Sequence, residues 1–228
     1  MSKEILRFES VTLPDTEEYS GAAHNVDFVL CAGEALLIDT HDTQGWPPLA
    51  DTAEGLLPPR SGAVRIGGAE WSTLNPDAST DWRSRIGRVF ADHAWVSNLD
   101  VDENVTLAQR HHARQAPAEI SEQAQTWARR FGLDALPATR PAWTPRKEQM
   151  LAQWVRALLG EPALLILENP THDVPGDASE HLLNAVREQR DRGAAVIWMT
   201  TDKDLQNHAS LEPTYRATLS KDRWEIES

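Results

Sequence analysis

The sequence predicts an α/β protein, and three observations carry that reading. Short, predominantly apolar runs recur at Ala35–Asp39, Ala163–Leu167 and Ala195–Thr200, as strands covered on both faces require. Amphipathic stretches at helical spacing lie between them, two of them closed by glycine, Gly160 and Gly193. Strand–helix alternation of this kind builds a mainly parallel sheet with helices packed against it.

The elements follow in order. Ile5–Leu13 and Val26–Leu30 read as strands of an N-terminal β layer. GEALLID, Gly33–Asp39, is an apolar strand, and Thr40–Pro48 (THDTQGWPP) turns from it into a short helix. A Gly-Leu-Leu-Pro-Pro exit leads to a strand at Ala63–Ile66, closed by the Gly67-Gly68 turn. Ile86–Phe90 is a further strand. Ala118–Arg130 is helical, with Pro117 at its start and Gly132 past its end. Thr144 is placed as the N-cap of the next helix and Pro145 in its first turn; the helix runs to Leu159 with Met150, Leu151, Trp154, Val155 and Leu158 as its apolar stripe. Asp177 is expected to cap a helix to Arg192, and Tyr215–Ser220 with Arg223–Ile226 to form a hairpin around Lys221-Asp222. The whole chain, 1–228, is expected to be one domain, with a core of 1–91 and 160–228 and a helical sub-domain over about 92–159.

Composition narrows the function. The 228 residues carry a net charge of −13, which disfavours nucleic acid or an anionic membrane surface as the main partner. A single cysteine, Cys31, excludes an internal disulfide and a cysteine-rich zinc site and suits a reducing cytoplasm. The first residues, MSKEILRFES, show no apolar h-region, so no signal peptide is expected, and no run is long enough to span a membrane. His111-His112 face different ways on a helix and have no carboxylate at matching spacing, so no metal site is expected.

The motifs, taken in order, resemble those of the nucleotide-binding subunit of an ABC transporter. Gly55–Gly68 (GLLPPRSGAVRIGG) resembles the family's helix exit and following strand, RSRIGRVFADH (Arg83–His93) its "rr.IG.VFQ" segment, and LDVDENV (Leu99–Val105) its "ltV.eNV". VRALLGEPALLIL (Val155–Leu167), LLILENPT (Leu164–Thr171) and AVIWMTTDKDL (Ala195–Leu205) resemble the segments around Walker B and the switch loop. The resemblance implies a P-loop NTPase-like, RecA-like parallel core with an N-terminal antiparallel β layer and a helical sub-domain. It covers almost the whole chain.

The residues that would do chemistry in that family are replaced. In the phosphate loop only Gly45 is kept; Thr40 stands for the first glycine, Trp46 for the lysine, and Pro47 and Pro48 for the hydroxyl pair. Phosphate loops hold their ligand through backbone N–H groups, a lysine and a Mg²⁺-linked hydroxyl. Proline has no N–H, and each charge-assisted hydrogen bond lost is worth about 1.5–3 kcal/mol, so nucleotide affinity is expected to fall by orders of magnitude. Ala91 replaces the glutamine that contacts Mg²⁺ and the attacking water. Thr144, Pro145, Arg146, Lys147 and Glu148 replace the signature; Arg146 and Lys147 are either phosphate-attracting or a solvated basic turn that meets an acidic neighbour. Glu168 takes the Mg²⁺-linked aspartate position, Asn169 that of the catalytic glutamate, and Thr201 that of the switch histidine. An amide is no general base. Tyr19 aligns with the aromatic that stacks on adenine, with simple packing as the alternative.

The resemblance implies a catalytically inactive cassette with a structural or regulatory role, without a cofactor. Its implied partners are a membrane permease and either itself or an intact ATPase paralogue, at the cytoplasmic side of the membrane. Two alternatives remain: an ATPase with non-standard ligands, in which Arg60 or Arg65 replaces the lysine and Glu168 holds Mg²⁺, and a free-standing adaptor.

Overall fold

The computed structural model describes all residues except 1–2, 18, 20–24, 41–45, 113–114, 207, 209–210, 221–222 and 228, and the side chain of residue 177. Two sheets and the helices around them make up the described chain. The first sheet is antiparallel. β1 (Glu4–Thr12) pairs with β2 (Val26–Cys31) on one side and with β4 (Ser61–Ile66) on the other, and β4 leads into the short β5 (Ala69–Glu70). Between β2 and β4 come β3 (Ala35–Asp39) and the one-turn helix α1 (Leu49–Ala53). The remainder is α2 (Pro76–Arg83), β6 (Ile86–Val89), α3 (Val101–His112), α4 (Pro117–Arg130), α5 (Arg146–Leu158), β7 (Leu164–Glu168), α6 (Gly176–Asp191), β8 (Ala195–Thr200), α7 (Lys203–Gln206), β9 (Tyr215–Leu219) and β10 (Trp224–Glu227).

The second sheet has the order β10-β9-β3-β8-β7-β6. All its pairings are parallel except the β9–β10 hairpin at the edge. Its central strands β7 and β8 are buried at every position, which is why they read as unbroken apolar runs. Alternate side chains enter two different cores. Leu36, Ile38, Ile166 and Ile197 pack against the antiparallel layer, while Leu37, Leu165, Leu167 and Trp198 pack against the helices. Each such buried side chain contributes about 1.5–3 kcal/mol relative to exposure.

Two contacts fix the helices that matter for the site. Gly87 lets α5 lie directly on β6, since a Cβ there would come 1.8 Å from the Ala157 carbonyl oxygen. Buried Asn104 accepts from Val96 N and donates to the carbonyls of Val96, Leu99 and Asp100, tying the loop after β6 to α3.

Two capping expectations and one missed helix need correction. Thr144 does not cap α5: Pro145 holds the cap position, and the Thr144 hydroxyl instead meets Thr139 Oγ1 and Arg140 O. Asp177 does not cap α6, which starts one residue earlier at Gly176 with Pro175 at the cap. The segment at Pro76–Arg83, not expected to be helical, is a helix capped by Asn75, whose side chain accepts from Ala78 N at 2.8 Å. Among the described residues, no helix is long and apolar enough to cross a membrane.

Candidate functional site

Because β3, β6 and β7 run parallel, Asp39, Val89 and Glu168 end them on the same side of the sheet. Ligand sites in open α/β sheets lie beyond such carboxyl ends, and a cleft of about 400 Å³ opens here. Trp46, Pro47 and Pro48 wall one side, Phe90 and Ala91 the other, with Arg88 and Glu168 between them.

Arg88 organises this cleft. It sits on β6 and is 9% exposed, so its charge needs partners. Its Nε and Nη2 donate to the two Glu168 oxygens at 2.9 and 3.1 Å. Its Nη1 donates to Asp51 Oδ1 at 2.6 Å and Glu54 Oε2 at 3.1 Å, both supplied by one face of the α1 segment. The guanidinium also stacks on Phe90, 4.3 Å from the ring centre. Trp46 completes the set by donating its indole N–H to Glu168 Oε1. Burial works against the Arg88 charge, but Glu168 and Glu54 outweigh it and hold the guanidinium above its ordinary value. Burial pushes Glu168 and Glu54 up in turn, against the opposing pull of Arg88. Both oxygens of Glu168 are thus engaged by side chains of the same chain.

The phosphate-loop positions lie around this cluster. Thr40 extends the parallel sheet, donating its N–H to Thr200 O at 3.1 Å. Pro47 and Pro48 are buried and Pro48 caps α1, accepting from Thr52 N and Thr52 Oγ1. Gly45 lies outside the described residues. Asn169 stands in the left-handed region at φ 43° and accepts from Thr201 N at 3.0 Å, so these two expected positions are joined to each other. Asp202, the next residue, accepts from Asp204 N and Leu205 N as the cap of α7.

Other expected residues lie apart from the cleft. Tyr19 is fully buried and does not line the cleft. Arg60 pairs with Asp15 and Arg65 with Glu9 on the antiparallel layer, and neither lines the cleft. Thr144–Glu148 form the turn into α5, with Pro145, Arg146 and Lys147 exposed.

Sequence reasoning missed Arg88, Asp51 and Glu54. A charged residue inside a four-residue strand with carboxylates three apart on a short helix was the available signal. It also missed His93. That ring accepts from Gln153 at Nδ1 (2.7 Å) and donates from Nε2 to Asp173 (3.1 Å). Burial first, then the nearby Arg146 charge, lower its pKa despite Asp173, so it is neutral near pH 7. Gln153 and Arg156 of α5 also hold the backbone of Phe90, His93 and Ala94, which fixes the cleft's far wall. Burial pushes Arg156 down to about 10.

Comparison with known proteins places this architecture. The ABC transporter family model matches residues 23–172. The chain is 28% identical to the lipoprotein-releasing system ATP-binding protein LolD of Idiomarina loihiensis over 183 residues, covering 79% of this chain and 80% of that one. It is also 28% identical to the macrolide export ATP-binding/permease protein MacB of Salmonella choleraesuis over 198 residues, 85% of this chain but only 30% of that protein; of the ribose import ATP-binding protein RbsA of Rhodopirellula baltica it spans 35%. Among solved structures, a dimeric bacterial ABC transporter cassette, MJ0796, superposes with a TM-score of 0.84, covering 98% of both chains at 21% identity. At that identity the likeness speaks for the fold, an ABC ATPase cassette with a P-loop NTPase core and an antiparallel β layer. With the family pattern spanning most of its length, the chain belongs to the ABC transporter family.

Proposed function

We propose that this chain is the cassette subunit of a membrane transport complex and that it neither binds nor hydrolyses ATP, serving a structural or regulatory role. The observation that carries this reading is the closed charge cluster in the cleft. Glu168, at the Mg²⁺-linked position, already accepts from Arg88 and Trp46. A metal ion there would have to displace a guanidinium that three carboxylates hold, and breaking a buried ion pair costs about 3–5 kcal/mol. Among the described residues no lysine lines the cleft, and Pro47 and Pro48 offer no N–H to a phosphate. Asn169 spends its carbonyl oxygen on Thr201 N and has no titrating group to activate water. The residues present do not fit Mg²⁺-ATP.

The cassette's partners follow from the same reading. LolD is named as part of a lipoprotein-releasing system and MacB as an ATP-binding/permease protein; a transmembrane permease is the partner proposed here, with membrane association only through it. The permease docks beside the Ala91 loop and the helical stretch at 92–159. Pairing is with a second cassette, as in the dimeric structure. The decisive measurement is equilibrium binding of a fluorescent ATP analogue with Mg²⁺. No saturable binding into the millimolar range is expected, and micromolar affinity overturns the inactive reading. Co-purification with a membrane protein tests the transport context separately.

A further inference from the structure

We propose that the groove between α4 and the ends of α3, α5 and α6 is a binding site for a short zwitterionic peptide of about three or four residues, held by its termini and its backbone. The groove measures about 840 Å³, within the range of sites that enclose small molecules. It lies away from the cleft of Arg88. Glu161 and Arg192, in its lining, each come three residues before a core strand, β7 and β8. The cleft instead opens where Glu168 ends β7.

Unspent amide groups mark the groove as a site. Gln189 is 2% exposed and lines it, yet its carboxamide has no hydrogen-bond partner among the described residues. Gln115 Oε1, in the same lining, is buried and likewise without a partner. Gln109 gives its Nε2 to Leu159 O at 3.0 Å, and its own carbonyl oxygen has no partner among the described residues. Buried polar groups are rarely left unpaired. A carboxamide sets a donor beside an acceptor, which is the pattern that a peptide backbone answers.

Charge gives the ligand its direction and length. The floor of the groove is one face of α4, where Glu119, Glu122, Gln123, Thr126, Trp127 and Arg130 recur at helical spacing. The two carboxylates stand toward the start of the helix and the guanidinium at its end. Arg130 follows Glu122 by eight positions, which is about 12 Å of helix at about 1.5 Å per residue. Arg130 itself is spent: it bonds both Glu188 oxygens, at 3.0 and 2.6 Å, and lies over the Trp127 ring at 4.4 Å. Those bonds hold Glu188 below its ordinary value and Arg192 adds to the pull, so Arg192 stands at this same end. Arg192 is exposed and makes no ion pair among the described residues. Glu122 has no ion-pair partner among them either, and Glu161 is a further carboxylate in the lining. A cation alone would leave Arg192 unanswered, and an anion alone would leave the carboxylates so. An α-ammonium at Glu122 and an α-carboxylate on the fork of Arg192 answer both. Extended backbone covers about 3.3–3.6 Å per residue, so about three or four residues join the two ends.

The test is isothermal titration of the chain with tri-alanine and tetra-alanine at low salt, because the lining addresses termini and backbone more than side chains. Saturable binding is expected, weakened at least about tenfold by acetylating the amino end or amidating the carboxyl end. E122Q is expected to bind free and acetylated peptide alike, and R192Q free and amidated peptide alike. Each variant thus loses one discrimination and keeps the other. Gln189→Leu is expected to weaken every peptide at least about fivefold, with circular dichroism reporting its fold. Should that variant not fold, the two exposed positions, Glu122 and Arg192, carry the test. Absence of saturable binding up to about 10 mM overturns the proposal. So does equal affinity for peptides with blocked ends, or variants that bind as the parent does. Spermidine and citrate are titrated alongside: either one binding as tightly as tetra-alanine shows that charge of one sign suffices, and overturns the zwitterion. None of these outcomes depends on whether the cleft admits nucleotide.

Discussion

The cleft and the turn before α5 are opposite solutions for polar residues. In the cleft the buried charges are answered from within: Arg88 meets Asp51, Glu54 and Glu168, and the Trp46 indole fills the remaining place on Glu168. At the turn, backbone groups are tied down, yet Trp143, Arg146 and Lys147 are left facing outward. The two stretches stand where the family's phosphate loop and signature stand. The difference is between a closed interior and an open surface.

Four substitutions sharpen that contrast. The largest effect is expected from Arg88→Met, which leaves Glu54 and Glu168 buried without a counter-charge. A loss of about 3–5 kcal/mol is expected in urea unfolding, and restoring part of it by adding Glu168→Leu would locate the cost in the unpaired carboxylate. Trp46→Phe comes next: it keeps a ring but removes one N–H donor from a buried carboxylate, costing about 1.5–3 kcal/mol. An unchanged midpoint would mean that the indole bond does not close the cleft.

His93→Asn tests the cleft's outer wall through pH. Burial and Arg146 hold the folded His93 below its ordinary value, with Asp173 opposing and Arg156 adding to the fall. The unfolded chain therefore binds the proton more readily than the folded one. That share of stability is whole above about pH 6.5 and is lost as pH falls toward the folded value. Thermal unfolding midpoints of the variant are expected to decline less between about pH 7 and 5.5 than those of the parent. The smallest effect belongs to Trp143→Ala, which is expected to shift the unfolding free energy of the single chain by no more than about 0.5 kcal/mol. A larger loss would show that the indole is packed at home.

Much of this was legible in the sequence, for identifiable reasons. The strands β3, β7 and β8 are covered on both faces, so burial alone writes them as apolar runs. Trp46, Pro47 and Pro48, which the resemblance singles out, do line the cleft. The short helix at Pro76 carried a plain signal, Asn-Pro-Asp at its start, that its polar sequence masked. Arg88 was not legible as a partner. Its carboxylates come from Asp51, Glu54 and Glu168, 37, 34 and 80 residues away, and only the sheet order brings them together. Thr144 looked like a cap because its type suits one; its hydroxyl was instead recruited by Thr139 and Arg140.

Gly87 carries one more consequence. With no side chain between them, the backbone of α5 rests on that of β6, and the next residue along the strand is Arg88. A close-packed joint of this kind transmits displacement instead of absorbing it. Force applied at the outer end of α5 would therefore arrive at the guanidinium as a rigid push, which makes this helix a mechanical linkage between whatever the surface holds and the charges below.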